Sequence, residues 1–239
     1  MSVLDTSLSG VSNDDGFMDI SDFIYTKRNV LDRDFCLDLI EEYESDNRKE
    51  EVRIGKFLKY DPLVHDAKQL NISLPNHISD YQKYDDLLCK VLGENIDEYQ
   101  QKLANTHKGT GLNPLDQYMD DGYLIKSYEP GGFYTWHNDY NIDPIKGARV
   151  LTYIFYLNDI KSGGETEFID GTRIKPQTGK LILFPAVWPF SHRALPVKNR
   201  NKYIVTGWLY GRNQEDYEKL KLEYEARKKK DSLQTGTSK

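Results

Sequence analysis

The chain has 239 residues, with 32 Lys+Arg against 38 Asp+Glu and a net charge of -6. That length fits one elaborated domain, which buries about 70–75% of its extended surface on folding and needs no disulfide to hold a core. The acidic balance argues against a protein whose main task is to coat nucleic acid or an anionic membrane. The only two cysteines, Cys36 and Cys89, exclude a secreted disulfide scaffold and a cysteine-based zinc module.

No run of roughly 18 apolar residues occurs, so no membrane-spanning helix is expected. Residues 1–15 are Ser/Asp/Asn-rich and lack the basic start and apolar core of a secretory signal. They read as the flexible N-terminus of a cytoplasmic protein. Residues 16–120 read as a helical support region. It opens with an extended lead-in whose apolar part is Phe23, Ile24 and Tyr25. Asp32 is placed to cap a helix beginning near Arg33, with Cys36, Leu39, Ile40 and Tyr43 as its stripe. A second helix is predicted over 79–103, with Tyr84, Leu87, Leu88 and Val91 as its stripe and Gly93 as a break or bend. Both cysteines fall in these patterns and are expected as small buried thiols. Residues 51–78 show no periodicity, and 105–116 read as a Gly/Asn/Thr-rich linker.

From residue 121 the pattern changes. Tyr123-Leu124-Ile125, Phe133-Tyr134, 150–157, 181–184 and 203–210 are short β-branched and aromatic runs between turn-forming clusters. Strands at this spacing predict a sandwich, barrel or double-sheet jelly roll over 121–212. Residues 213–239 read as a charged C-terminal helix and tail, with Tyr217, Leu220 and Tyr224 as a thin apolar edge. The expectation is a single α+β structural domain in which N-terminal helices pack on a β core. The basic run Arg227-Lys228-Lys229-Lys230 reads as a solvated face, and a nucleic-acid partner is not expected.

Five histidines occur. His65, His77 and His107 read as surface or satisfied core residues. His137 differs because Asp139 follows two residues later, and in a strand such a pair projects to one face. His192, on a later strand, would complete the set. Two histidines and one carboxylate leave three positions of an octahedron open, the ligand pattern of non-heme Fe(II) oxygenases. Zinc would accept the same ligands without redox chemistry. Lys202 opens a strand-like run, where a buried ammonium costs free energy unless it meets an anion. A dicarboxylate would supply one.

Further motifs then fall in order: Tyr128-Glu129-Pro130-Gly131-Gly132, His137-Asn138-Asp139, Tyr153-Ile154-Phe155-Tyr156-Leu157-Asn158, Gly163-Gly164-Glu165-Thr166-Glu167-Phe168, the stretch 176–185, His192, Lys202 and Gly207-Trp208. Over 121–212 the sequence resembles the prolyl 4-hydroxylase-like branch of the iron(II)/2-oxoglutarate-dependent dioxygenases. The resemblance implies a double-stranded β-helix (jelly-roll) core. It implies Fe(II) on His137, Asp139 and His192, with 2-oxoglutarate and O2 as cosubstrates and ascorbate as reductant. Lys202 would pair with the distal carboxylate of 2-oxoglutarate, helped by Tyr156 and Thr206. Tyr128 would stand near the metal-side carboxylate or the substrate. Trp136, Tyr140 and Trp208 are substrate-side candidates, and the loop 140–147 reads as a lid or a plain connection. The implied reaction is hydroxylation of an unactivated C–H bond with release of succinate and CO2, the favoured target being a prolyl residue of a peptide or protein. The alternatives are a free amino acid or other small molecule as substrate, or a non-catalytic jelly-roll module that keeps a metal for structure. The sequence gives no oligomeric state.

Overall fold

The computed structural model describes residues 19–54, 59–106, 118–212 and 214–235. The N-terminal 1–15 stretch, His107 and most of the expected 105–116 linker lie outside these residues. Three helices are present, α1 (Arg33–Ser45), α2 (Ile78–Thr106) and α3 (Gln214–Thr235). Ahead of α2 come β1 (Tyr25–Lys27), β2 (Glu50–Glu51), β3 (Arg53–Ile54), β4 (Lys59–Tyr60) and β5 (Lys68–Asn71). After it come β6 (Met119–Asp120), β7 (Leu124–Tyr128), β8 (Tyr134–His137), β9 (Ile142–Asp143) and β10 (Gly147–Tyr156). The series ends with β11 (Thr166–Phe168), β12 (Arg173–Ile174), β13 (Lys180–Pro185), β14 (His192–Ala194) and β15 (Lys202–Tyr210).

Every pairing among these strands is antiparallel. The large sheet runs β1-β13-β10-β15-β7-β5-β2, with β6 on β15 and β9 on β10. A smaller sheet runs β12-β11-β14-β8, and β3 and β4 form a separate ribbon.

The apolar runs of β7, β10, β13 and β15 show why the large sheet sits between two cores. Successive side chains of a strand point to opposite faces. Odd-numbered Ile125, Tyr153, Phe155, Leu183 and Val205 join Leu39, Tyr43, Tyr84 and Leu88 of α1 and α2 in one cluster. Even-numbered Ile154, Tyr156, Ile182, Phe184 and Ile204 join Phe168 of the smaller sheet in a second. A strand buried on both faces reads as an unbroken apolar run, as in Leu181-Ile182-Leu183-Phe184.

The helices depart from expectation in detail. Asp32 occupies the N-cap of α1 with extended backbone, but its side chain makes no capping hydrogen bond. Helix α2 continues unbroken through Gly93. Its buried stripe is Tyr81, Tyr84, Leu88, Val91, Leu92, Ile96, Tyr99 and Leu103, while Leu87 lies exposed beside it. Cys89, on the other side of the stripe, is exposed as well; Cys36 alone is the buried thiol expected of both. The unpatterned 51–78 stretch contributes three short strands, too brief for a period to register. Among the described residues no helix is long and apolar enough to cross a membrane.

Gly207 is required by packing. A Cβ there would lie 2.1 Å from the Tyr153 hydroxyl, which donates to the Gly122 carbonyl at 2.8 Å. Gly207→Ala is expected to cost about 1–3 kcal/mol of stability through overpacking. Urea unfolding measures it, and an unaltered midpoint would refute this account of β15.

Candidate active site

The even-numbered face of the large sheet forms one wall of a cavity of about 970 Å³ that opens toward the smaller sheet. Lys126 and Tyr128 of β7, Thr152 and Ile154 of β10, and Lys202, Ile204, Thr206 and Trp208 of β15 all reach it. His137 and His192 come from the opposite sheet, where they are directly paired across β8 and β14.

His137, Asp139 and His192 present one ligand atom each, all within 4.8 Å of one another. His137 Nε2 lies 3.7 Å from Asp139 Oδ1, and His192 Nε2 lies 3.7 Å from Oδ2. Both rings are fixed from behind. His137 Nδ1 donates to the Thr135 carbonyl at 2.8 Å, and His192 Nδ1 to the Phe190 carbonyl at 3.0 Å. That leaves the Nε2 lone pairs facing the carboxylate, the arrangement in which histidine ligates a metal. Phe184 stands edge-on to His192 at 4.8 Å and fixes its plane. Asp139 is held by the Thr152 hydroxyl, which donates to Oδ2 at 2.8 Å.

Electrostatics favour the ligating forms. Burial alone pushes the Asp139 carboxyl up, but the neighbouring His192 and His137 rings, the Thr152 hydroxyl and the Lys126 ammonium hold it below its usual value. Burial, reinforced by His192, depresses the His137 imidazole, so it stays neutral. The donor set, one oxygen and two nitrogens on one side of a shared point, fits a divalent ion with open positions.

The pair His137 and Asp139 converges for a reason other than strand alternation. Strand β8 ends at His137, and Asp139 lies beyond it. Its carboxylate is aimed by Thr152 across the cavity. The pairing register also slips within β8, so that Tyr134 and His137, three residues apart, share a face and stack at 3.5 Å.

Lys202 is 1% exposed, and burial brings its ammonium down to about 7 against the opposing pull of Glu165. It donates to the Gly164 carbonyl at 3.1 Å and lies 4.3 Å from the Tyr128 ring centre. Gly163-Gly164 therefore does more than turn the chain. Tyr156 does not line the cavity; its hydroxyl bonds Thr166 Oγ1 at 2.7 Å, and Thr166 reaches the wall in its place. Thr206 lines the wall while its hydroxyl donates to the Tyr153 carbonyl. Trp208 also lines the cavity, its indole nitrogen buried without a partner. Tyr140 stands at the rim, 50% exposed. Trp136, 44% exposed, borders a shallower depression outside the triad. The 140–147 loop forms β9, pairs back onto β10 and adds Asn141, Ile142 and Pro144 to the cavity wall.

Three cavity residues escaped the sequence reading. His65 is buried, bonds the Tyr128 hydroxyl at 3.1 Å and stacks on Tyr134 at 3.7 Å, so three rings form a pile ending at His137. Its Nδ1 has no partner, contrary to the expectation of a surface or satisfied ring. His77 does match that expectation, with Nδ1 on the Asn71 carbonyl. Lys126 is 7% exposed, and burial lowers it to about 8. Arg149 enters through a bulge. Arg149 pairs with Tyr210 but Leu151 pairs with Leu209, so one extra residue turns Arg149 onto the face of the even-numbered residues. A lysine inside the apolar Leu124-Ile125-Lys126 run was the one available signal.

Residues 123–210 match the family model of the 2OG-Fe(II) oxygenase superfamily. Within it the likeness is to prolyl 4-hydroxylases. The alpha-1 subunit of prolyl 4-hydroxylase from Gallus gallus is 30% identical over 120 residues, covering 44% of this chain and 23% of that protein. This chain thus spans less than a quarter of that curated relative's length. The fold is shared with the viral collagen prolyl hydroxylase vCPH of Paramecium Bursaria Chlorella virus-1, solved as its 2OG complex. The TM-score is 0.57 at 20% identity, over 79% of this chain and 96% of that one. It is also shared with a prolyl hydroxylase of Trichoplax adhaerens in complex with a hypoxia inducible factor oxygen degradation domain peptide fragment. There the TM-score is 0.57 at 16% identity, over 82% and 86% of the two chains. The superfamily implies Fe(II), 2-oxoglutarate and O2, and the triad described above fits the metal.

Thr152→Val removes the donor that aims Asp139. Mn(II) affinity, read by electron paramagnetic resonance, is expected to fall roughly 10-fold. Unchanged affinity would show that Asp139 needs no such support.

Proposed function

We propose that this protein is an Fe(II)/2-oxoglutarate-dependent dioxygenase that hydroxylates an unactivated C–H bond, with a prolyl residue of a peptide or protein as the favoured target. The observation that carries the proposal is one cavity holding both the His137/Asp139/His192 triad and, fully buried on the facing wall, Lys202. We take 121–212 as the catalytic jelly roll, 16–120 as its support and 213–239 as an appended charged helix and tail. Ascorbate serves as reductant in this reading, and the two unpaired cysteines favour a reducing, cytoplasmic setting.

When bound, the iron and 2-oxoglutarate supply the oxidising power, O2 delivering one oxygen atom to succinate, formed with CO2, and one to the hydroxylated product. The chain's own residues do the rest. The triad grips one side of the ion and leaves the other open. Lys202 pairs its ammonium with the distal carboxylate of the diacid, where no other cation is as deeply placed. Ile154 and Ile204 line the space between with hydrocarbon and keep water out. Tyr128 stands across from Lys202 on β7, Thr206 lies four residues farther along β15 on the same wall, and Tyr156 supports Thr166 from behind. Trp136, Tyr140 and Trp208 border the substrate side. Exposed apolar side chains, Ile142 at the cavity and Ile169 with Trp136 in the neighbouring depression, support an extended peptide over a closed small-molecule pocket. The peptide seated on the Trichoplax neighbour supports the same choice.

Succinate should form from 2-oxoglutarate in the presence of Fe(II), O2 and ascorbate, and His137→Ala should abolish it; undiminished release would overturn the assigned centre. A pH dependence follows from Lys202. Its ammonium, brought down to about 7, is increasingly neutral above that pH in the free protein, whereas the bound diacid requires the charged form. Affinity for 2-oxoglutarate in the Mn(II)-loaded protein is therefore full below about pH 7. It should weaken above, by up to about tenfold per pH unit, with proton uptake on binding. Calorimetry in buffers of different ionisation enthalpy measures both, and a flat profile from pH 6 to 9 would remove Lys202 from this role.

A further inference from the structure

Beyond the pull of its charge on Asp139, Lys126 has no part in the chemistry described so far. It projects from β7 into the cavity and is more than nine-tenths buried. Its ammonium meets no hydrogen-bond acceptor and no carboxylate at ion-pair distance among the described residues. The other buried lysines differ: Lys180 donates to the Lys175 carbonyl and Lys202 to that of Gly164. An ammonium withdrawn from water without an acceptor is costly, and it persists where a ligand supplies the counter-charge.

Arg149 stands beside it. Its guanidinium lies 3.6 Å over the Trp208 ring, and Lys126 Nζ lies 5.9 Å from the centre of the same ring. Through Nε, Arg149 donates to the Tyr210 hydroxyl at 2.9 Å, which fixes its fork. Trp208 is six residues along β15 from Lys202, about 20 Å at the rise of a strand. Lys126 springs from the position opposite Ile204, two residues from Lys202, and its Nζ extends to the Trp208 ring, so its ammonium stands between the Lys202 anchor and the Trp208 end of the wall.

Charge leads to the same place. Asp139 is the one acidic side chain among the described residues lining the cavity, against Arg53, Lys126, Arg149 and Lys202. A ferrous ion and Lys202 together balance Asp139 and the two carboxylates of 2-oxoglutarate. Lys126 and Arg149 remain without counter-charge, on the substrate side of a low-dielectric wall.

Resting on the function proposed above, we infer that Lys126, with Arg149 beside Trp208, forms a carboxylate-binding subsite, and that the molecule hydroxylated carries a carboxylate near its reacting carbon. Two sources have that chemistry: an aspartate or glutamate close to the target residue of a peptide, or the α-carboxylate of a free amino acid.

The test measures binding to protein loaded with Mn(II) and N-oxalylglycine, a non-reacting 2-oxoglutarate analogue. Short end-capped prolyl peptides with a glutamate moved through each position are compared with their glutamine counterparts, and free L-proline with L-prolinamide. A carboxylate preference of about tenfold or more is expected in one series, as for a charge-assisted hydrogen bond. The series that shows it identifies the source. Lys126→Met should reduce the preference to within about twofold, and Lys126→Arg should restore it. Equal binding of carboxylate and amide probes, or a preference that survives in Lys126→Met, overturns the inference. So does a loss in Lys126→Met of 2-oxoglutarate affinity as large as the loss of carboxylate preference, which would assign Lys126 to the cosubstrate. Succinate release by the unaltered protein without substrate reads the dioxygenase proposal separately, because the binding measurements involve no turnover.

Discussion

Side chains leave a β-strand alternately to its two sides, and four long adjacent strands of this sheet keep the same count. Odd positions of β7, β10, β13 and β15 face the helices, and even positions face the smaller sheet, with those of β7, β10 and β15 supplying the cavity wall. The arrangement separates two demands that conflict within one core. The helix side is apolar and closely packed, to the point that Gly207 has no room for a methyl group. That packing holds the backbone still, so the cavity side can carry buried ammonium groups at positions no flexible loop would hold. The lowered proton affinity of Lys202 and Lys126 measures what this placement costs before a ligand arrives.

The triad is assembled differently, across the gap between the sheets. Direct pairing of β8 with β14 brings His137 and His192 together, and backbone carbonyls set both tautomers. The carboxylate comes from irregular chain just past β8 and is aimed by a hydroxyl from the large sheet. Each sheet therefore contributes to the position of Asp139, and the centre is complete only when the two are packed on one another.

This division explains what was legible in the sequence. The β core announced itself through apolar and aromatic runs, and His137, Asp139, His192 and Lys202 through their spacing and company. The reason first given for His137 and Asp139 was strand periodicity, yet the strand stops between them, and the convergence comes from Thr152. His65 was hidden because it lies among strands too short to show a pattern. Lys126 was hidden in plain apolar context, where the eye reads the strand and passes over the charge. Arg149 could not be placed by counting at all, since the bulge beside it reverses the count. On α2 the expected stripe holds at Tyr84, Leu88 and Val91 and fails at Leu87, which flanks the packed face on one side as Cys89 does on the other.

The bulge in β10 carries an evolutionary corollary. A single-codon insertion or deletion there would swap which side chains look inward at the mouth of the cavity, while the residues from Leu151 onward keep their partners on β13 and β15. The lining of the entrance would then diverge by indel without a single substitution at the triad or Lys202 below. Among homologues, a change of substrate class would accordingly leave its trace as a length difference between residues 147 and 151.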